Sequence, residues 1–207
     1  MKVFVFGGSE AVGEHVLKAL DAKGHEAVTM AEAENRAEEL KMLGAVEVVI
    51  SKDEGFERAI TGASAVIYIA GASPGAGENQ ATLVDHDAVI DALEEAQQQK
   101  VERIVYLSPV RMDESQESKK TGGKHKPEEW ITKSRFTYTI VRTTKTVSKP
   151  GNGSIKAGET VDADSGEVPY EDVAAVLVEA LGNENTFNRA FEMTAGETAI
   201  KDALDAL

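Results

Sequence analysis

The 207-residue chain contains no cysteine. Disulfides, thiol nucleophiles and thiolate metal sites are therefore excluded. It is also short of positive charge: 22 Lys and Arg stand against 36 Asp and Glu, a formal net charge of -14. That balance argues against nucleic acid, whose phosphates are met by clusters of Lys and Arg, and against adsorption to anionic membranes. No apolar run approaches the ~20 residues that a membrane-spanning helix needs. The first residues read as a core strand, without the charged, apolar and cleavage regions of a secretory signal. The expectation is a soluble cytoplasmic protein. The four histidines, His15, His25, His86 and His125, are scattered. His86 lies between Asp85 and Asp87, but adjacent helical positions point apart, so no metal site is expected. No P-loop, nucleophile elbow, paired-carboxylate arrangement or internal repeat is visible.

What the chain does have is alternation. Strand-like runs at Lys2–Phe6, Ala27–Met30, Val46–Ile50, Ala65–Ala70, Arg103–Ser108 and Tyr138–Arg142 alternate with helical patterns. These patterns follow the first strand, then recur at Ala33–Leu43, Phe56–Ile60, Leu83–Gln98 and Pro127–Lys133. Runs such as Val-Ile-Tyr-Ile-Ala are apolar nearly throughout, as expected where helices cover both faces of a parallel sheet. The expected fold is α/β: a doubly wound, Rossmann-like, mainly parallel sheet in a single domain. Right-handed crossovers would gather Gly7, Met30, Ala70-Gly71 and Ser108 at one sheet edge, where ligands bind in such folds. The segment from Met112 to Lys126, rich in Ser, Glu and Lys, reads as a solvated loop over that edge.

The opening, MKVFVFGGSEAVGEHVLKAL, is strand, Gly-rich turn and helix. Glycines suit such a turn for three reasons: the tight bend, the close approach of backbone to a pyrophosphate, and close packing of helix on strand. Gly7, Ser9, Glu10, Ala11, Val12 and Gly13 would line a nucleotide there. The same glycines would also serve a turn that only packs a helix on a strand, and both readings stand at this point. In the G-x-x-G-x-x-G pattern, Gly7 and Gly13 match and Glu10 replaces the middle glycine, adding a side chain and a like charge beside an anion.

Taken in order, GGSEAVG, GHEAVTMAEAENRAEELKMLGAVEVV, ITGASAVIYIAG, RIVYLS, TYTIVR, YEDVAAVLVEAL and FEMTAGE resemble the atypical short-chain dehydrogenase/reductases. The likeness is to the small NmrA-like, NAD(P)-binding proteins associated with NAD-dependent epimerase/dehydratase and NADH-flavin reductase activity, and it covers almost the entire chain. It implies NAD or NADP as cofactor. Glu32, where NADP-preferring relatives carry Arg, would favour NAD by accepting from the ribose hydroxyls; the same residue also suits an ordinary first helical turn. Ser51 would meet the adenine, and Ala70-Gly71-Ala72 would line the ribose. In the family a Ser orients the carbonyl, and a Tyr-x-x-x-Lys pair moves the proton. Here the Ser position falls at Pro109 with Ser108 beside it, the Tyr position at Lys120 and the Lys position at Lys124. Ser108 and Lys124 are thus the candidate catalytic residues. The last segments would add a late strand at Phe187–Thr194, a terminal helix at Ala199–Leu207, and, over 143–207, a small substrate-facing part.

Three functions remain open at this point. One is an NAD(P)-dependent oxidoreductase acting on a small molecule. A second is a catalytically degenerate nucleotide-binding sensor or regulatory protein, and a third a cofactor-free interaction module. A homodimer or a regulatory protein partner is compatible with each.

Overall fold

The structure is a computed structural model that describes residues 1–9, 11–51, 55–69, 86–109, 127–162 and 164–207. Its elements, in chain order, are β1 (Lys2–Phe6), α1 (Ala11–Ala22), β2 (Glu26–Ala31), α2 (Glu34–Met42), β3 (Ala45–Ile50), α3 (Phe56–Ile60), β4 (Ala65–Ile69), α4 (His86–Gln98), β5 (Arg103–Pro109) and α5 (Pro127–Lys133). There follow β6 (Thr137–Thr143), β7 (Thr146–Val147), β8 (Ser154–Gly158), β9 (Val168–Pro169), α6 (Tyr170–Ala180), a 3-10 turn (Glu184–Thr186), β10 (Arg189–Ala195), β11 (Thr198–Ala199) and α7 (Ile200–Asp205).

The main sheet has the order β11-β8-β10-β6-β5-β4-β1-β2-β3. From β3 across to β10 every pairing is parallel, while β8 and β11 extend the sheet antiparallel. The strand order reverses between β1 and β4, which is the switch point of a doubly wound fold. The doubly wound, mainly parallel single domain expected from the sequence is therefore observed. β4 is buried at every position because helices cover both its faces. One core layer, including Val5, Leu17, Leu107, Val141, Leu177 and Phe191, lies under α1, α2, α6 and α7. The other, including Phe4, Val28, Tyr68, Leu93, Tyr106 and Ile131, lies under α3, α4 and α5.

Element ends differ from the sequence reading by one or two residues. β2 gains a residue at each end, the late strand runs Arg189–Ala195, and the terminal helix stops at Asp205. Residue 70 of the fourth strand and residues 83–85 of the long helix lie outside the described residues, as does the loop 112–126. Periodicity did not anticipate the two-stranded β7–β9 pair or the antiparallel β8 and β11. Each is short, and Ser154–Gly158 carries a single β-branched residue, Ile155, so no alternation stands out.

Arg103, at the start of β5, ties the sheet to α6. It is 7% exposed, and burial lowers its pKa to about 10, which leaves it charged at neutral pH. Its guanidinium donates to the carbonyls of Ala180 (2.7 Å), Leu181 (3.3 Å), Thr137 (2.8 Å) and Ile104 (2.9 Å) and to the Thr139 hydroxyl, and lies 4.5 Å from the Phe187 ring centre. The carbonyls at the end of α6 carry the negative end of the helix dipole, so they serve as its counter-charge. Arg103→Met is expected to destabilise the protein by about 2–4 kcal/mol, since it strands those acceptors in an apolar setting. Arg103→Lys is expected to recover only part of this, because three donors replace a planar five-donor fork. Urea unfolding at constant m-value checks both.

Candidate functional site

At the C-terminal edge of β1 the chain leaves the sheet through Gly7, whose φ of +83° suits glycine. The turn is compressed on two sides. A Cβ on Gly13, in the first turn of α1, would lie 2.1 Å from the Gly7 carbonyl oxygen, and one on Gly8 would lie 2.3 Å from Thr29 Oγ1. That hydroxyl donates to the Val5 carbonyl at 2.8 Å, which fixes β2 beneath the turn. Backbone therefore meets backbone where α1 begins. Val12 and Gly13 are buried beneath it, while Ser9 and Ala11 keep partial exposure. An anion at this position would face the free N–H groups and the positive dipole end of a twelve-residue helix.

Arg36, in the first turn of α2, reaches this turn and was not singled out from the sequence. Its guanidinium donates to the Ser9 carbonyl at 2.8 Å, to Glu39 at 2.7 Å and to Glu14 of α1. The hydrogen bonds to Glu14 and Glu39 hold its pKa above the ordinary arginine value. Glu32, just beyond β2, is exposed, as is Ser51 just beyond β3, whose N–H donates to the Ala31 carbonyl at 2.9 Å. The fold thus brings Gly7, Ser9, Ala11, Val12, Gly13, Glu32 and Ser51 to one edge. Glu10, Ala70, Gly71, Lys120 and Lys124 lie outside the described residues.

Ser108 lies further along the same edge, in register with Arg142 of β6, which is in register with Glu192 of β10. Arg142 forms a two-pronged ion pair with Glu128 in the first turn of α5: Nη2 to Oε2 at 2.6 Å, and Nε to the two oxygens at 3.2 and 3.3 Å. Glu128 raises the arginine pKa most, and the charge of Glu192 adds to it. Glu192 is buried and accepts from the Val161 N–H at 2.9 Å. Sequence reasoning passed over these three residues. The available signal was a charge at the end of the apolar strand Tyr138–Arg142, which demands a partner.

The start of α6 faces this edge too, because the helix runs antiparallel to the strands it connects. Asp172, 2% exposed, accepts from the Asn152 N–H at 3.1 Å and the Gly153 N–H at 2.9 Å, and Glu171 accepts from the Gly151 N–H at 2.6 Å. The loop Pro150–Ser154 is thereby fastened to α6.

Gly13→Ala is expected to cost about 3 kcal/mol, because the methyl group must push α1 off Gly7. Gly182→Ala, where the added Cβ meets nothing within 4 Å and φ is ordinary, is expected to change stability by less than about 0.5 kcal/mol. Thermal or urea unfolding of the two variants side by side checks the contrast.

Comparison with known proteins agrees with this geometry. The profile of the NAD(P)H-binding family matches residues 7–184. An uncharacterised sugar epimerase of Bacillus subtilis, YhfK, is 30% identical over 217 residues that cover all of both chains. A Bacillus halodurans structure, provisionally named an NAD-dependent epimerase/dehydratase, covers both chains fully at 26% identity with a TM-score of 0.87. A Veillonella parvula short-chain dehydrogenase/reductase solved with NADP shares the fold at a TM-score of 0.67 and 13% identity over 96% of each chain. With its glycine turn at the switch point of a doubly wound sheet, the chain belongs to the NAD(P)H-binding family of atypical short-chain dehydrogenase/reductases.

Proposed function

We propose that the protein is an NAD(P)-dependent oxidoreductase acting on a carbonyl or hydroxyl carbon of a small molecule, with the dinucleotide lying across the β1–β4 switch point. The observation that carries this reading is the cradle at Gly7, Gly8 and Gly13. No side chain fits where Gly13 meets Gly7, and main chain is what a pyrophosphate needs to approach. Ser9, Ala11 and Val12 would line the pyrophosphate beside these glycines, with Glu10 the expected departure from the family pattern. Ser51 and Ala70-Gly71 would hold the adenosine side.

The cofactor supplies hydride transfer, and the protein supplies binding and orientation. Ser108 orients the substrate oxygen, while Arg142, braced by Glu128, fixes α5 against β6 beside it. Lys124 holds the ribose and carries the proton traffic that the family shares between Tyr and Lys. Residues 143–207 contribute the substrate-facing part through the β7–β9 pair and the loop tied down by Asp172. Around the adenosine ribose, Arg36 is already matched by Glu14 and Glu39, and Glu32 adds a further exposed carboxylate. This balance supports NAD over NADP, whose extra phosphate would meet net negative charge.

Calorimetric titration with NAD, NADH, NADP and NADPH is expected to give binding, tighter for the forms without the 2′-phosphate. Glu10→Gly is expected to tighten it by about tenfold, through the loss of one like charge beside the pyrophosphate. Glu32→Arg is expected to turn the preference toward the 2′-phosphorylated forms. If no nucleotide binds at millimolar concentration, the proposal fails. Binding without turnover on a quinone, flavin and aldehyde panel would leave a nucleotide-binding protein and remove the oxidoreductase.

A further inference from the structure

A cavity of about 320 Å³, partly open to solvent, lies between α4 and α5. Gln97 of α4 lines it together with Glu129, Trp130, Lys133, Ser134 and Arg135, which run through α5 into the turn before β6. β6 starts beside it at Thr137, in register with Arg103 at the start of β5. The cavity therefore sits at the edge where the parallel strands begin, opposite the edge that carries the glycine turn, and the oxidoreductase reading makes no use of it.

Its polar groups are unequally satisfied. The Ser134 hydroxyl donates to the Ile131 carbonyl at 2.6 Å and accepts from the Phe136 N–H at 3.3 Å, and Lys133 is ion-paired with Glu129. Among the described residues, the buried side-chain nitrogen of Gln97 has no hydrogen-bond partner, and the exposed guanidinium of Arg135 has no carboxylate partner. A buried donor without an acceptor is a cost that folding leaves in place. With Lys133 and Glu129 offsetting each other, Arg135 gives the cavity a net positive charge, in a planar fork of donors that matches a carboxylate. The apolar wall is aromatic: Trp130 is half-buried, and the Phe136 ring centre lies 6.4 Å from its own. The volume is about twice the ~150 Å³ that admits a benzene molecule, which leaves room for one ring and an acidic group. We propose that this cavity binds a small aromatic carboxylate, with the ring against Trp130 and the carboxylate accepting from Arg135 and Gln97. The proposal is independent of the nucleotide reading.

Trp130 is the single tryptophan of the chain, so tryptophan emission reports on this cavity directly. Titration with phenylacetate is expected to change that emission saturably, with half-saturation at about 1 mM. Phenylacetamide, which keeps the ring without the charge, and acetate, which keeps the charge without the ring, are each expected to bind about tenfold more weakly. Arg135→Gln is expected to weaken phenylacetate about tenfold at an unchanged melting temperature, and Gln97→Met to weaken it while keeping or raising the melting temperature. The absence of a saturable change with phenylacetate would overturn the proposal, as would equal affinity for phenylacetamide. Unchanged affinity in Arg135→Gln would also overturn it, whatever Gln97→Met does.

Discussion

The contact of Gly13 with the Gly7 carbonyl is the constraint on which the remaining geometry rests. It sets the distance of α1 from β1, and through α1 it sets the seat of α6, since α1 and α6 share the core layer of Val16, Leu17, Val173 and Leu177. Thr29 adds the second half of the constraint by holding β2 to β1 under Gly8. A side chain at Gly8 or Gly13 would have to move an element rather than another side chain. In a close-packed interior such a shift propagates. The same compression sets backbone against backbone where α1 begins, which is the arrangement the proposed nucleotide site relies on.

α6 is fastened at both ends by charge. At the edge away from the site, Arg103 takes up its last carbonyls; at the site edge, Asp172 and Glu171 in its first turn hold the loop Pro150–Ser154 by backbone N–H groups. Each charge lies at the helix end whose dipole favours it. Asp172 is nearly fully buried, and Arg103 is desolvated with no carboxylate partner among the described residues, so these are specific attachments and not solvated surface pairs. The segment following β6 is therefore held at a fixed place over the strand ends, a condition for a site built partly from loops.

Much of the fold was legible because its signals are local. The apolar runs at Val3–Phe6, Ala65–Ile69 and Ile104–Leu107 can only be strands covered on both faces, and the Gly-rich break after Phe6 marks the first turn. What escaped notice depends on distance along the chain. The pair Glu128–Arg142 is separated by fourteen residues, Glu14–Arg36 by twenty-two, and Asp172 and the loop it anchors by about twenty. Each member reads alone as an unremarkable charge, and only the packing of α5 beside β6, of α1 beside α2, and of the start of α6 on the loop before β8 brings the partners together.

The departure at Glu10 can be weighed once the roles of the glycines are separated. Gly7 is required by its backbone conformation, and Gly8 and Gly13 by the atoms of Thr29 and Gly7 itself. Those are demands of the protein, and they hold with or without a ligand. The middle glycine of the family pattern answers a demand of the ligand, which needs backbone close to phosphate without an intervening charge. On the proposed reading, a glutamate at that position would act on nucleotide affinity. An imperfect fingerprint is thus compatible with the close packing at residues 7, 8 and 13, because that packing answers to the protein's own atoms and the middle glycine to a ligand.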